Sequence, residues 1–220
     1  VDADAPAEII RAAFKPNTKA FFCETLANPA LAVCDIEKLA QVAHENGVPL
    51  IVDNTFATPY LCRPIEWGAD IVVHSTTKYL DGHALQVGGV IIDSGKFDWA
   101  AAHKKSGKYA DFVEPDDSYH GVVYTREFGN LAYIIKARMQ LMRDFGCYPS
   151  AHSAFLLNLG LETIPVRMKQ YCENALRVAE FFKNSPKIES VRYPGLTGDK
   201  YYKAAQKYLP PAFRQAPFLK

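Results

Sequence analysis

At 220 residues, with hydrophobic residues at 49% and charged residues at 22%, the chain has the composition of a globular protein large enough to bury a core, one domain plus an appendage. Its 25 Lys+Arg against 24 Asp+Glu leave no basic surplus to point at nucleic acid or an anionic membrane, and no apolar run nears the roughly 20 residues that span a bilayer. Cys23, Cys34, Cys62, Cys147 and Cys172 are odd in number and never spaced as C-x-x-C, which argues against a disulfide framework and a structural zinc site and for a reducing cytoplasm.

The opening residues, VDADAPAEII, lack the basic start and apolar stretch of a signal peptide and read as the middle of a longer chain. Residues 18–24, TKAFFCE, are a short apolar run after Pro16-Asn17, and their length and aromatic content predict a buried strand. A helix should follow, because Asp35 suits an N-cap, Ile36, Leu39, Ala40 and Ala43 recur at helical spacing, and Gly47 stands where helices stop. PLIVD (49–53), DIVVHS (70–75) and GGVIID (88–93) predict three further strands, each ending abruptly in polar residues. Strands apolar on both faces that alternate with helical sequence predict an α/β fold, with a mostly parallel sheet and helices on both faces. Ligands of such sheets sit at the strand ends, where Glu24, Asp53 and Ser75 fall.

Residues 96–125 are rich in Lys, Asp, Gly and Tyr without periodicity and read as a long surface excursion. Within it the cluster Tyr119, His120, Tyr124 suits either a substrate entrance or a packed surface loop. Helices resume over 128–145, and a strong one follows Pro165, with Tyr171, Ala175, Val178 and Phe182 on one stripe and Pro186 beyond its end. From Tyr193 onward prolines and glycines accumulate, and no internal repeat is present.

Three strings carry chemistry: ETLANP (24–29), VDNTFATP (52–59) and HSTTKYLDGH (74–83). In this order they resemble the Cys/Met-metabolism enzymes that depend on pyridoxal phosphate (PLP), a family of cystathionine synthases and lyases, methionine γ-lyase and O-acetylhomoserine sulfhydrylase. The resemblance runs from about residue 18 to residue 208. It implies the large-domain portion of a fold type I PLP-dependent transferase, with Lys78 forming the Schiff base with the cofactor and then serving as mobile acid and base. A lone lysine would read as a solvated surface residue. The resemblance also pairs Asp53 with the pyridine nitrogen, keeping the ring a good electron sink. The alternative for Asp53 is a turn cap with Asn54 and Thr55. It gives the hydroxyls of Ser75 and Thr77 to the cofactor phosphate, against a reading as ordinary loop residues. It sets Asn28 near the cofactor hydroxyl and the substrate carboxylate, though Asn-Pro is also a plain turn signal. His74 and His83 have no partner at metal-ligand spacing, so neither is given a catalytic role and no metal site is expected.

VIIDSGKFDW, DSYHG, VYTREFG and AFLLNLGLET look most like the sulfhydrylase branch, while Leu85-Gln86 stands where that resemblance leads one to expect small hydroxyl residues. The implied reaction is γ-replacement, in which O-acetyl-L-homoserine and sulfide, or methanethiol, give homocysteine, or methionine, and acetate. Two alternatives stand beside it: a cystathionine or methionine γ-lyase, and a non-catalytic fragment. The second arises because the family's ring-stacking aromatic, its phosphate-binding glycine turn, its Tyr/Arg pair and its C-terminal arginine have no counterpart here, and PPAFRQAPFLK (210–220) departs from the family pattern. The expectation is a chain truncated at both ends, with residues 1–185 a partial PLP-binding domain and 186–220 the start of a C-terminal one. Its partners would be a small amino-acid ester and sulfide or a thiol, in a homo-oligomer assembled as a dimer of dimers.

Overall fold

The computed structural model describes residues 1–2 and 4–213. A short helix α1 (Ala7–Ala12) precedes strand β1 (Phe21–Glu24), after which come α2 (Ile36–Glu45), β2 (Leu50–Asp53), α3 (Thr58–Leu61), β3 (Ile71–Ser75) and β4 (Gly89–Asp93). The four strands form one sheet in the order β1-β2-β3-β4. β1, β2 and β3 run parallel, with Glu24 opposite Asp53 and Asp53 opposite Val73, so the polar ends of β1 and β2 are level and β3 runs two residues further, to Ser75, at the same end of the sheet. β4 returns antiparallel to β3, placing Gly89 opposite Ser75. The mostly parallel α/β architecture expected from the strand pattern is therefore present.

α2 shows why the local signals work. The Asp35 side chain accepts from the Lys38 amide at 3.3 Å, Gly47 beyond the helix takes φ +64°, and Ile36, Leu39, Ala40, Val42 and Ala43 form one buried stripe. That stripe packs with Leu50, Val52 and Val72, which point to one face of the sheet. Full burial of a side chain such as Leu39 is worth about 1.5–3 kcal/mol, and Leu39→Ala would cost about 2–5 kcal/mol once the cavity is included.

Alternate residues Ile51, Ile71 and Val73 point to the other face, where they meet Trp99 and Tyr109. Here the expected irregular excursion is corrected. Residues 96–125 form α4 (Trp99–Ser106), capped by Asp98, α5 (Ala110–Val113) and the start of α6 (Tyr124–Phe128). Trp99 stacks on Phe112 at 4.4 Å and on Tyr133 at 5.5 Å, and the Tyr109 hydroxyl donates to the carbonyls of Lys19 and Gly47. Aromatic packing at irregular spacing thus folds the segment onto the sheet.

Helix continues through α7 (Ala132–Lys136), a wider π-type turn over Ala137–Met142, and α8 (Arg143–Phe145), then α9 (Ala151–Glu162) and α10 (Ile164–Lys183). The expected face of α10 is also corrected: Tyr171, Val178 and Phe182 are 39%, 51% and 42% exposed, while Ile164, Met168 and Ala179 are buried. The helix carries two apolar lines, and docking against α3 and α9 selects the one that periodicity did not single out. Finally α11 (Tyr202–Tyr208) lies on α2: the Tyr208 hydroxyl bonds the Asp35 carboxylate, Lys207 pairs with Glu37, and Trp67 meets the Tyr208 ring edge-on. The departure from pattern read at 210–220 falls mostly on 214–220, outside the described residues. Among the described residues no helix is long and apolar enough to cross a membrane.

Candidate active site

The ends of β1, β2 and β3 open onto a cleft of about 570 Å³, as ligand sites of parallel sheets do. Asn28, Asp53, Ser75, Thr77 and Lys78 all line it, so the structure brings together the five residues singled out from the sequence.

Each arrives by a simple route. Lys78 lies just past β3 in the turn Thr76–Leu80, where it departs from helical geometry with φ −94° and ψ −124°. Its side chain is exposed, and its amine has no hydrogen bond or ion pair among the described residues. Asp53 ends β2, and one of its carboxylate oxygens accepts from the Thr55 amide at 2.8 Å. The turn-capping alternative is thus real, but it occupies one oxygen and leaves the other without a hydrogen bond among the described residues, on a residue that lines the cleft. Ser75 ends β3, with its amide held by Thr55 Oγ1 at 2.7 Å and its own hydroxyl unpartnered among the described residues. Asn28 donates its backbone amide to Glu24 Oε2 at 3.0 Å, and its side-chain amide has no partner among the described residues.

Thr77 lines the cleft and also has a structural engagement. Its hydroxyl accepts from the Gly88 amide at 3.0 Å and lies 3.4 Å from the Gly88 carbonyl, so here it latches the turn to β4. Gln86, unexpected from the resemblance, is buried and donates to the Thr76 carbonyl at 2.9 Å, holding the same turn. Sequence reasoning placed Thr55 only in the turn capped by Asp53 and missed its hydroxyl, which joins the loop after β2 to β3. Its signal was position, two residues after Asp53. Missed too was the aromatic wall of Phe56, Tyr79 and Tyr171, with Tyr79 5.6 Å from Phe56 and 5.5 Å from Tyr171.

The buried His74 has its proton affinity pushed below the ordinary range by burial, against the opposing pull of the Asp53 charge. It backs the strand end, one residue before Ser75. His83 is tied by Nδ1 to the Asp81 carbonyl at 2.9 Å. The cluster Tyr119, His120, Tyr124 does not line this cleft; Tyr124 is fully buried beneath the Lys136 amine, 4.4 Å over its ring, which favours the packed-loop alternative. Among the described residues no group of three or more His, Cys, Asp or Glu side chains converges for a metal ion.

Compared with known proteins, residues 1–212 match the family described as Cys/Met metabolism PLP-dependent enzyme. The chain belongs to this family. It is 48% identical over 216 residues to an O-acetyl-L-homoserine sulfhydrylase of Leptospira meyeri, covering 94% of this chain and 48% of that protein. It is 47% identical over 210 residues to a homocysteine synthase of Schizosaccharomyces pombe, covering 95% and 48%. Among solved structures, an O-acetylhomoserine (thiol)-lyase of Campylobacter jejuni superposes with a TM-score of 0.86 at 36% identity, covering 94% of this chain and 50% of that one. That structure carries a pyridoxyl-lysine monophosphate. The chain therefore spans about half the length of the curated relatives it matches.

Proposed function

We propose that the protein carrying this chain is a PLP-dependent O-acetylhomoserine sulfhydrylase. The single observation behind this reading is the convergence of Lys78, Asp53, Ser75 and Asn28 on one cleft at the strand ends. The donor set fits the cofactor: an unpaired amine for its aldehyde carbon, a carboxylate for its ring nitrogen and a free hydroxyl for its phosphate. When bound, PLP supplies an electron-accepting ring.

In this reading Asp53 holds the proton on the ring nitrogen, and the Asn28 amide binds the substrate carboxylate. Phe56, Tyr79 and Tyr171 wall the cleft against water. Lys78 takes a proton from Cα of the amino-acid ester and handles a second at Cβ. The Cγ–O bond then breaks and acetate departs with its electron pair. The sulfide sulfur bonds to Cγ, the protons return to Cβ and Cα, and homocysteine results. Residues 1–185 would form the cofactor-binding part, with a C-terminal part beginning at 186. Assembly as a dimer of dimers and a cytoplasmic setting belong to the same proposal, the latter resting on the unpaired cysteines.

The deciding experiment measures acetate released from O-acetyl-L-homoserine with and without sulfide. Homocysteine formed in step with acetate, only when sulfide is present, is the expected result. An oxo acid formed whether or not sulfide is present would replace the reading with a γ-lyase. No reaction, together with no borohydride-stable label on Lys78, would favour a non-catalytic fragment.

A further inference from the structure

Arg167, in the first turn of α10, stands behind the turn that carries Lys78. Its guanidinium donates from Nη1 to the Tyr79 carbonyl at 2.8 Å, from Nη2 to the Gly160 carbonyl at 2.7 Å and from Nε to the Thr163 hydroxyl at 2.9 Å. Gly160 lies in the last turns of α9 and Thr163 joins α9 to α10, so one planar cation fastens the Lys78 turn to both helices.

The fit leaves no slack. A Cβ added at Gly82 would lie 2.4 Å from Arg167 Nη1, and one added at Gly160 would lie 2.3 Å from the Asp81 carbonyl oxygen. The Gly82 amide in turn donates to the Lys78 carbonyl at 2.8 Å. Lys78 itself leaves helical geometry, so a regular hydrogen-bond ladder does not fix its backbone. What fixes the turn on its far side is the guanidinium. Arg167 does not line the cleft.

We propose that Arg167 is a positioning residue: it holds the backbone around Lys78 so that the amine projects into the cleft, and it touches neither cofactor nor substrate. The proposal rests on the reading of Lys78 as the cofactor-anchoring lysine. A lysine at 167 would keep the charge but present one point donor to acceptors arranged for a planar fork, so it should not restore the function.

The test compares the full chain with its Arg167→Gln and Arg167→Lys variants by hydrogen–deuterium exchange without cofactor, and by PLP titration followed by borohydride reduction and peptide mapping. In both variants, amide exchange over 76–82 should accelerate about tenfold while peptides across β2 and α2 keep their protection. PLP affinity should fall about tenfold, with the label, once forced by excess PLP, still on Lys78. Unchanged exchange over 76–82 would overturn the proposal. So would equal acceleration everywhere, or loss of the cooperative melt in both variants, since either makes Arg167 a general prop of the fold. Should the parent label a lysine other than Lys78, the anchor reading fails, and the exchange comparison still decides whether Arg167 clamps the turn.

Discussion

Thr55 Oγ1 accepts the backbone amide of Ser75 at 2.7 Å, and this bond ties the loop leaving β2 to the last residue of β3. Because the Thr55 amide donates to Asp53, the carboxylate and the start of the Lys78 turn share one small linkage. Thr55→Val deletes the acceptor and strands a half-buried amide, at a cost of about 1–3 kcal/mol in stability. Thr55→Ser should retain most of it. Urea unfolding of the two variants measures the difference, and equal midpoints would show that water replaces the hydroxyl without loss.

Lys78→Ala should abolish the borohydride-stable PLP label and leave the fold intact. The side chain is exposed and unpaired, so its removal should alter stability by no more than about 0.5 kcal/mol. Mapping a persistent label to another lysine would move the anchor elsewhere.

Asp53→Asn keeps an oxygen able to accept from the Thr55 amide, so the turn should survive and cofactor should still bind. The neutral amide does not hold a proton on the pyridine nitrogen. Loss of a charged hydrogen bond of this kind is worth about 1.5–3 kcal/mol, roughly ten- to a hundredfold in turnover when expressed in the transition state. Steady-state kinetics at saturating PLP checks this, and unchanged turnover would remove Asp53 from the mechanism.

Gly160→Ala sets two effects against each other. Alanine within a helix gains about 0.5–1 kcal/mol over glycine. Here, however, the new Cβ would lie 2.3 Å from the Asp81 carbonyl oxygen and 2.6 Å from that of Leu80, and backbone atoms cannot swing aside as side chains do. Overpacking of this kind costs about 1–3 kcal/mol, so the variant should melt lower. A higher melting temperature would mean that α9 can shift away from the Lys78 turn.

His44 Nε2 lies 2.8 Å from Asp70, and that hydrogen bond raises the histidine's proton affinity above its ordinary value of 6.5, against the opposing effect of burial. A raised folded value means that the stabilisation is fully present below the unfolded value and is lost as pH rises through the folded one. The stability difference between the parent and His44→Gln should therefore be largest near about pH 5.5 and shrink toward about pH 8. Denaturation curves across that range measure it; a gap that widened with pH would give the pair the opposite sign.

The sheet and α2 were legible in the sequence because their signals are local: apolar runs with polar ends, an Asp35 cap and one helical stripe. So were Lys78, Asp53, Ser75 and Asn28, which sit in short strings and converge once the parallel strands deliver them to one end of the sheet. What escaped is non-local. The stacking of Trp99 on Phe112 and Tyr133 joins residues with no shared period. α10 offers two apolar lines, and only its neighbours choose between them. The latch of Thr77 on Gly88 exists because β4 turns back beside β3, a pairing that neither strand announces by itself.

That return of β4 bears on how such a site can change over generations. The chain leaving Ser75 comes back to sit opposite it at Gly89, and the loop between is sealed at its neck by Thr76 N to Gly88 O and by Gly88 N to Thr77 Oγ1. A change of length inside this noose has to be absorbed between two sealed ends. The lysine therefore occupies a stretch of chain held at both ends. Divergence in what the cleft accepts has more room elsewhere, on walls such as Tyr171, which projects from α10.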